Sequence, residues 1–212
     1  MPSFDDGGME IIMYKLQMKF QGIITYICLA AAALTFFYSL GVSTDAYFLR
    51  SVESLGVEVP GIEMYYEMQP FNRDFTTYSI VLILLAVSCL VANNHTRRKY
   101  YIANYFTTIV SSVANIATAI WAAINVFKYK AMFLAVDYSN LTKIKIPDKI
   151  LINAGIDPEN VAGPYSTFWF DISVVVVAVL IIASLLNIAN MVFKTMLMKE
   201  EKRMLSEGDL NV

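Results

Sequence analysis

The chain is short of charge, histidine and cysteine, and each shortage excludes something. Of its 212 residues 16% are charged, where a soluble domain carries about a quarter. Its single histidine, His95, has no thiolate, carboxylate or second imidazole close by in sequence, so a transition-metal site lacks a ligand set. No metal and no cofactor are therefore expected. The two cysteines, Cys28 and Cys89, both lie in long apolar runs, where a thiol behaves as a small buried hydrophobe. The segments outside those runs can form no disulfide, and a redox role would need a polar, accessible setting. A formal net charge of -2 supplies neither a field for nucleic acid nor one for a strongly acidic partner.

What the chain has instead is 57% hydrophobic residues and a mean hydropathy of +0.54. They gather in four stretches, residues 21–41, 77–92, 100–127 and 168–193. Each is near or above the about 17 to 25 residues that cross a bilayer's hydrocarbon core. The expected fold is an all-α membrane protein, a four-transmembrane-helix bundle with a small extracytoplasmic cap containing short β-strands. The order is an N-terminal segment (1–20), span one, an outer loop (42–76), span two, a basic inner turn (93–99), span three, an outer loop (128–167), span four and a tail (194–212).

Charge sets the expected orientation, because basic residues in short flanks stay on the cytoplasmic side. Lys15 and Lys19 precede span one, Arg97, Arg98 and Lys99 crowd the turn between spans two and three, and Lys194, Lys199, Lys202 and Arg203 follow span four. The first loop carries Asp45, Glu53, Glu58, Glu63, Glu67 and Asp74 against Arg50 and Arg73, which suits the outer side. Lys128, Lys130, Lys143, Lys145 and Lys149 in the other outer loop pull the opposite way, but long loops translocate with less regard to charge. Both termini are then cytoplasmic, in a plasma membrane. The apolar run of span one is longer than the about 7 to 15 residues of a signal sequence, so it is read as a retained span. Residues 9–20 suit either a short interfacial helix or a plain extension of that span.

No span carries an ionisable residue at its centre, where proton relays and voltage sensors place theirs. Asp171, at the outer end of span four beside Trp169, reads as an interfacial or capping acid. Span one has the small run Ala30 to Ala33 at its centre, which permits close helix approach. Span three is polar along one face: Asn104, Ser111, Thr118 and Asn125 recur every seven residues, with Thr108 and Asn115 at intervening i+4 positions. Residues so spaced share a helix face, which must meet protein or water; it is either a packing seam or a wetted path. Asn187 and Asn190 on span four are candidate partners, with Asn104 expected to face one of them.

In the first outer loop Pro60-Gly61 fits the centre of a type II turn. Beyond it Ile62, Met64, Tyr66 and Met68 alternate with Glu63, Tyr65 and Glu67, the period-two pattern of a half-buried strand. A hairpin is expected there, offering Met64, Tyr65, Tyr66 and Met68 as cap contacts. Residues 142–146 form a similar basic fragment, and Glu63 and Glu67 could pair with Lys143 and Lys145. Asp157-Pro158-Glu159 reads as an N-cap followed by proline at the first helical position. Asn140-Leu141-Thr142 and Asn94-His95-Thr96 match the glycosylation triplet, a frequent chance pattern.

The order of two outer loops, four spans and inner termini resembles the layout of claudin-type and tetraspanin-type proteins. The likeness is one of topology: the first loop has no tryptophan and no cysteine pair, and neither loop has a cysteine-rich motif. Function does not follow from such a layout. No nucleophile with a base, acid pair or metal set is legible, so the chain is read as no enzyme. Two readings remain. One is a non-catalytic integral membrane subunit that binds and positions partner proteins in a transport or secretion assembly. The alternative is a small oligomeric channel or transporter with a polar path along span three. The partners implied are the lipid bilayer and other integral membrane proteins, or the chain itself as a homo-oligomer.

Overall fold

The computed structural model describes residues 6–54, 56, 58–94, 101–139, 147–153, 158–160 and 165–208. Its elements are helices α1 (Asp6–Gly41), α2 (Tyr47–Glu53), α3 (Glu63–Asn94), α4 (Tyr101–Leu134), α5 (Asp148–Asn153) and α6 (Phe168–Gly208), with a 3-10 turn at Pro158–Asn160. Four of them contain segments long and apolar enough to cross a membrane: Leu16–Gly41, Glu63–Asn93, Ala103–Leu134 and Phe168–Glu200. At 1.5 Å per residue even the shortest of these outruns the about 30 Å hydrocarbon core. An integral membrane protein built on four apolar helices is the result.

The helices overrun the expected spans. Helix α1 continues without a break through residues 9–20, so that segment extends span one and forms no separate interfacial helix. Helix α4 carries Lys128 and Lys130 within it, and α6 runs through the expected tail as far as Gly208. The apolar windows marked where a span must lie, whereas helix ends depend on caps and contacts that hydropathy does not record.

No strand occurs among the described residues, which corrects the expected β-hairpin cap. The turn at Pro60-Gly61 does form: Ile62 N–H donates to Val59 C=O at 3.1 Å, and Gly61 has φ +93°, the left-handed backbone that a type II turn needs at that position. The chain beyond it enters α3 at once. Positions 64 and 68 satisfy both a period of two and the i, i+4 spacing of a helix, so the alternation was ambiguous. Burial decides it, since Met64, Tyr65, Met68, Phe71 and Phe75 are inside and Tyr66 is half exposed, a 3.6-residue period. Met64, Tyr65 and Met68 are therefore core residues that present nothing to a partner, and Tyr66 alone keeps the expected exposure. The second basic fragment with Lys143 and Lys145, the Asn140 triplet, Asp157 and the basic turn with His95 lie outside the described residues.

The chain forms two compact units. Unit 2 comprises Ala33–Ile80 and Ala117–Ala178, and its core is rich in aromatic side chains. Phe48 on α2 stacks on Tyr165 at 4.4 Å between ring centroids and meets Phe133 edge-on at 5.9 Å; Phe71 stacks on Phe75 at 5.6 Å. Such pairs contribute about 0.5 to 1.5 kcal/mol beyond their area. Tyrosine hydroxyls tie the cluster to backbone: Tyr38 donates to Trp169 C=O and Tyr129 to Glu67 C=O, each at 2.9 Å. Gly41 admits the Trp169 ring, for a Cβ there would lie 2.6 Å from it.

The first turn of α6 is capped from a distance. Asp45 Oδ2 accepts from Trp169 N–H at 2.7 Å and Phe170 N–H at 3.1 Å, two of the four donors that a helix start leaves unbonded. Its negative charge also suits the positive end of the helix. Burial is the largest influence on Asp45 and raises its pKa above the usual carboxylate value, against the lowering effect of those two N–H groups. Thr167, which would ordinarily serve as the cap, instead donates its hydroxyl to Asp171 at 2.7 Å, and Lys130 pairs with the same carboxylate. Asp171 is thus an ion-paired acid in the first turn.

Unit 1 comprises Met1–Ala32, Val81–Ile116 and Val179–Val212. Its outward side chains are apolar, among them Ile23, Leu84, Ile109, Val113, Ile182 and Leu185, as lipid contact requires. Inside, small residues let the helices approach closely: Ala31 and Ala32 on α1, Ala86 and Cys89 on α3, Ala183 and Ser184 on α6. The buried positions step by three and four residues along each helix, as in Leu82, Ala86, Cys89 and Asn93, the spacing of a knobs-into-holes seam.

Candidate functional site

The interior of unit 1 is where polar chemistry collects. On α1, Gln17, Gln21 and Thr25 follow at i, i+4 and i+8 and so share one face; all three are buried. Gln17 Nε2 donates to Gln21 Oε1 at 2.9 Å and to Asn190 Oδ1 on α6 at 3.2 Å. Gln21 Nε2 donates to Asn93 Oδ1 on α3 at 2.6 Å, and Asn93 in turn donates to Thr25 Oγ1. Lys194 Nζ donates to Gln21 Oε1 at 3.4 Å, one turn past Asn190. Three helices are thereby joined through one chain of side-chain amides. Membrane helices gain about 0.6 to 2 kcal/mol from each such bond, and lipid offers these groups no substitute.

Helix α4 contributes a second polar line. Asn104, Thr108, Ser111, Ser112 and Asn115 are buried, Thr118 and Asn125 are half-buried, and Ile109 and Val113 on the other side are 48% and 61% exposed. Thr108 Oγ1 donates to Asn104 Oδ1 at 3.3 Å, and Ser112 Oγ accepts from Asn187 Nδ2 at 3.3 Å. Asn125, in unit 2, donates to its own helix at Trp121 C=O. The expected pairing of Asn104 with Asn187 or Asn190 is replaced by these contacts, and register explains why. Tyr105 hydrogen-bonds Thr195 at 2.8 Å while Ser112 meets Asn187, so α4 and α6 run antiparallel there. That register sets Asn104 level with Thr195, more than a turn beyond Asn190.

Several buried polar atoms in this interior find no protein partner: Gln17 Oε1, Asn104 Nδ2, Ser111 Oγ and Asn115 Oδ1. Among the described residues no group of three or more histidine, cysteine or acidic side chains could hold a metal, and no acidic side chain is buried. The arrangement can tie helices together and can hold neutral hydrogen-bonding species.

Gln17, Gln21, Thr25, Asn93, Ser112 and Lys194 were not among the candidates read from sequence. The signal for the first three was present in their i, i+4, i+8 spacing, but a span begun at Gln21 cut the series in two. Lys194 reads from sequence as a flanking charge. No family model, no curated protein and no solved structure matches the chain.

Proposed function

We propose that the chain is a non-catalytic integral membrane subunit that binds and positions other membrane proteins in a transport or secretion assembly, in a plasma membrane with both termini cytoplasmic. The observation that carries this reading is the amide chain Asn190, Gln17, Gln21, Asn93, Thr25, which spends its polar groups on ties between α1, α3 and α6. A bundle braced in this way suits holding a partner in place. The orientation rests on the basic flanks of the spans.

The competing reading, a small oligomeric channel or transporter with its path along α4, draws on the unpartnered atoms of Asn104, Ser111 and Asn115. One experiment separates the two. The full chain is purified from its native membrane in mild detergent, its companions are identified, and the chain alone is reconstituted in proteoliposomes. The subunit reading expects a defined partner that co-purifies in fixed ratio and no saturable flux. Saturable flux from the chain alone, abolished by Asn115→Leu, would overturn it in favour of the pore.

A further inference from the structure

The α4 face of unit 1 has a use independent of any partner. Asn104, Ser111 and Asn115 are 5%, 1% and 1% exposed, and each has a polar atom with no protein partner. Asn104 receives one bond, from Thr108, so whichever way its amide is turned, either its oxygen or its nitrogen is left over. A buried orphan of this kind costs about 1 to 3 kcal/mol, and hydrocarbon cannot relieve it. Alanine or leucine at these positions would avoid that cost. Three orphans on one face of one helix point to a ligand small enough to meet each of them.

We propose that this face is a water-binding site, in which one ordered water molecule bridges Ser111 to Asn115 and a second meets the Asn104 amide atom that its direct bond with Thr108 leaves over. Spacing selects water. Side chains one turn apart share a face, and one molecule making two hydrogen bonds of about 2.8 Å at roughly the tetrahedral angle bridges a gap of about 4.5 Å between their polar atoms. The water between Ser111 and Asn115 donates to Asn115 Oδ1 and shares its second bond with the Ser111 hydroxyl. Ser112 Oγ and Thr108 Oγ1 on the same helix supply further partners, within the two to four that a buried water makes. A cation is disfavoured because no acidic side chain is buried among the described residues. A partner helix cannot reach atoms so deeply covered.

The native cysteines give the test. Cys89 lies beside Thr107 and Ser111, whereas the Cys28 thiol donates to Ala183 C=O at 3.4 Å; both belong to unit 1 and are 3% and 1% exposed. X-ray radiolysis of the full chain in nanodiscs generates hydroxyl radicals from bound water as well as from bulk, and mass spectrometry reads the oxidation rate of each thiol. A site that holds water, as buried polar groups do, should make Cys89 react about threefold faster than Cys28 or more. Ser111→Ala and Asn115→Leu should each bring that ratio back toward one. Ser111→Ala removes a hydroxyl without adding bulk, so it remains informative where the leucine variant fails to fold. Equal rates in the wild type, or a Cys89 excess that persists in folded Ser111→Ala, would overturn the proposal.

Discussion

The two units bury opposite chemistry. Unit 2 is filled with rings, Phe48, Phe71, Phe75, Phe133 and Phe170 among them, while unit 1 encloses Gln17, Gln21, Asn93, Asn104, Asn115, Asn187 and Asn190 behind an apolar exterior. Solvent explains the contrast. Unit 2 contains α2 and α5 together with parts of the four apolar helices, and where those short helices meet water, burial of apolar area drives packing. Between membrane helices that drive fades, because lipid chains are as apolar as leucine; small side chains and hydrogen bonds then decide which faces meet. A polar interior is, in that setting, the more selective glue.

The contrast can be broken by experiment, and the largest effect belongs to the ring core. Phe48→Ala should cost about 3 kcal/mol or more, the range for truncating a buried phenylalanine, read as a shift in chemical denaturation of the purified chain. Leu82→Ala in unit 1 removes a smaller and even more enclosed side chain and should cost clearly less. Equal losses at the two positions would erase the distinction between the units.

Asp45 gives an intermediate effect. Asp45→Ala strips the acceptor from Trp169 and Phe170 N–H and should cost about 1 to 2 kcal/mol, as loss of a helix cap does. Asp45→Asn keeps an acceptor and removes the half-buried charge, so its loss should be smaller. The sign with pH follows from the raised folded-state pKa. The folded protein binds this proton more tightly than the unfolded chain, so wild type gains on Asp45→Asn as pH falls through the raised value. The gain levels off below the ordinary carboxylate range. A difference that is flat with pH would show that burial does not disfavour the Asp45 carboxylate.

The smallest effect sharpens the comparison from the polar side. A double-mutant cycle on Gln17 and Asn190, each changed to leucine, should return a coupling of about 0.6 kcal/mol and not above about 1.7. The double variant should be less damaged than the sum of the singles, since removing both partners leaves no orphan. Additive losses would mean that the bond at 3.2 Å ties nothing.

The candidate site was legible to the extent that polarity repeated on one helix. The seven-residue recurrence of Asn104, Ser111 and Thr118 marked one side of α4, and the first two are buried. Thr118 and Asn125 drift to a half-buried position because a straight helix slips about 20° per heptad against a strict seven-residue repeat. Which residues bond across helices was not legible. A one-turn offset between α4 and α6 exchanges one asparagine partner for another, and hydropathy carries no information about register.

Composition and run length by themselves determined that four helices cross or can cross a bilayer, because the hydrocarbon core demands about twenty apolar residues in unbroken hydrogen-bonded backbone. The Pro60-Gly61 turn was determined locally as well, since left-handed backbone at its second position selects glycine. Only the tertiary structure decided that the segment after this turn is helix, because Met64 and Met68 fit either period until a neighbouring surface chooses between Tyr65 and Tyr66. It also decided that Gln17, Gln21, Asn93 and Asn190 form one chain. Residues so far apart in sequence become neighbours only when helix packing fixes the register that brings donor to acceptor.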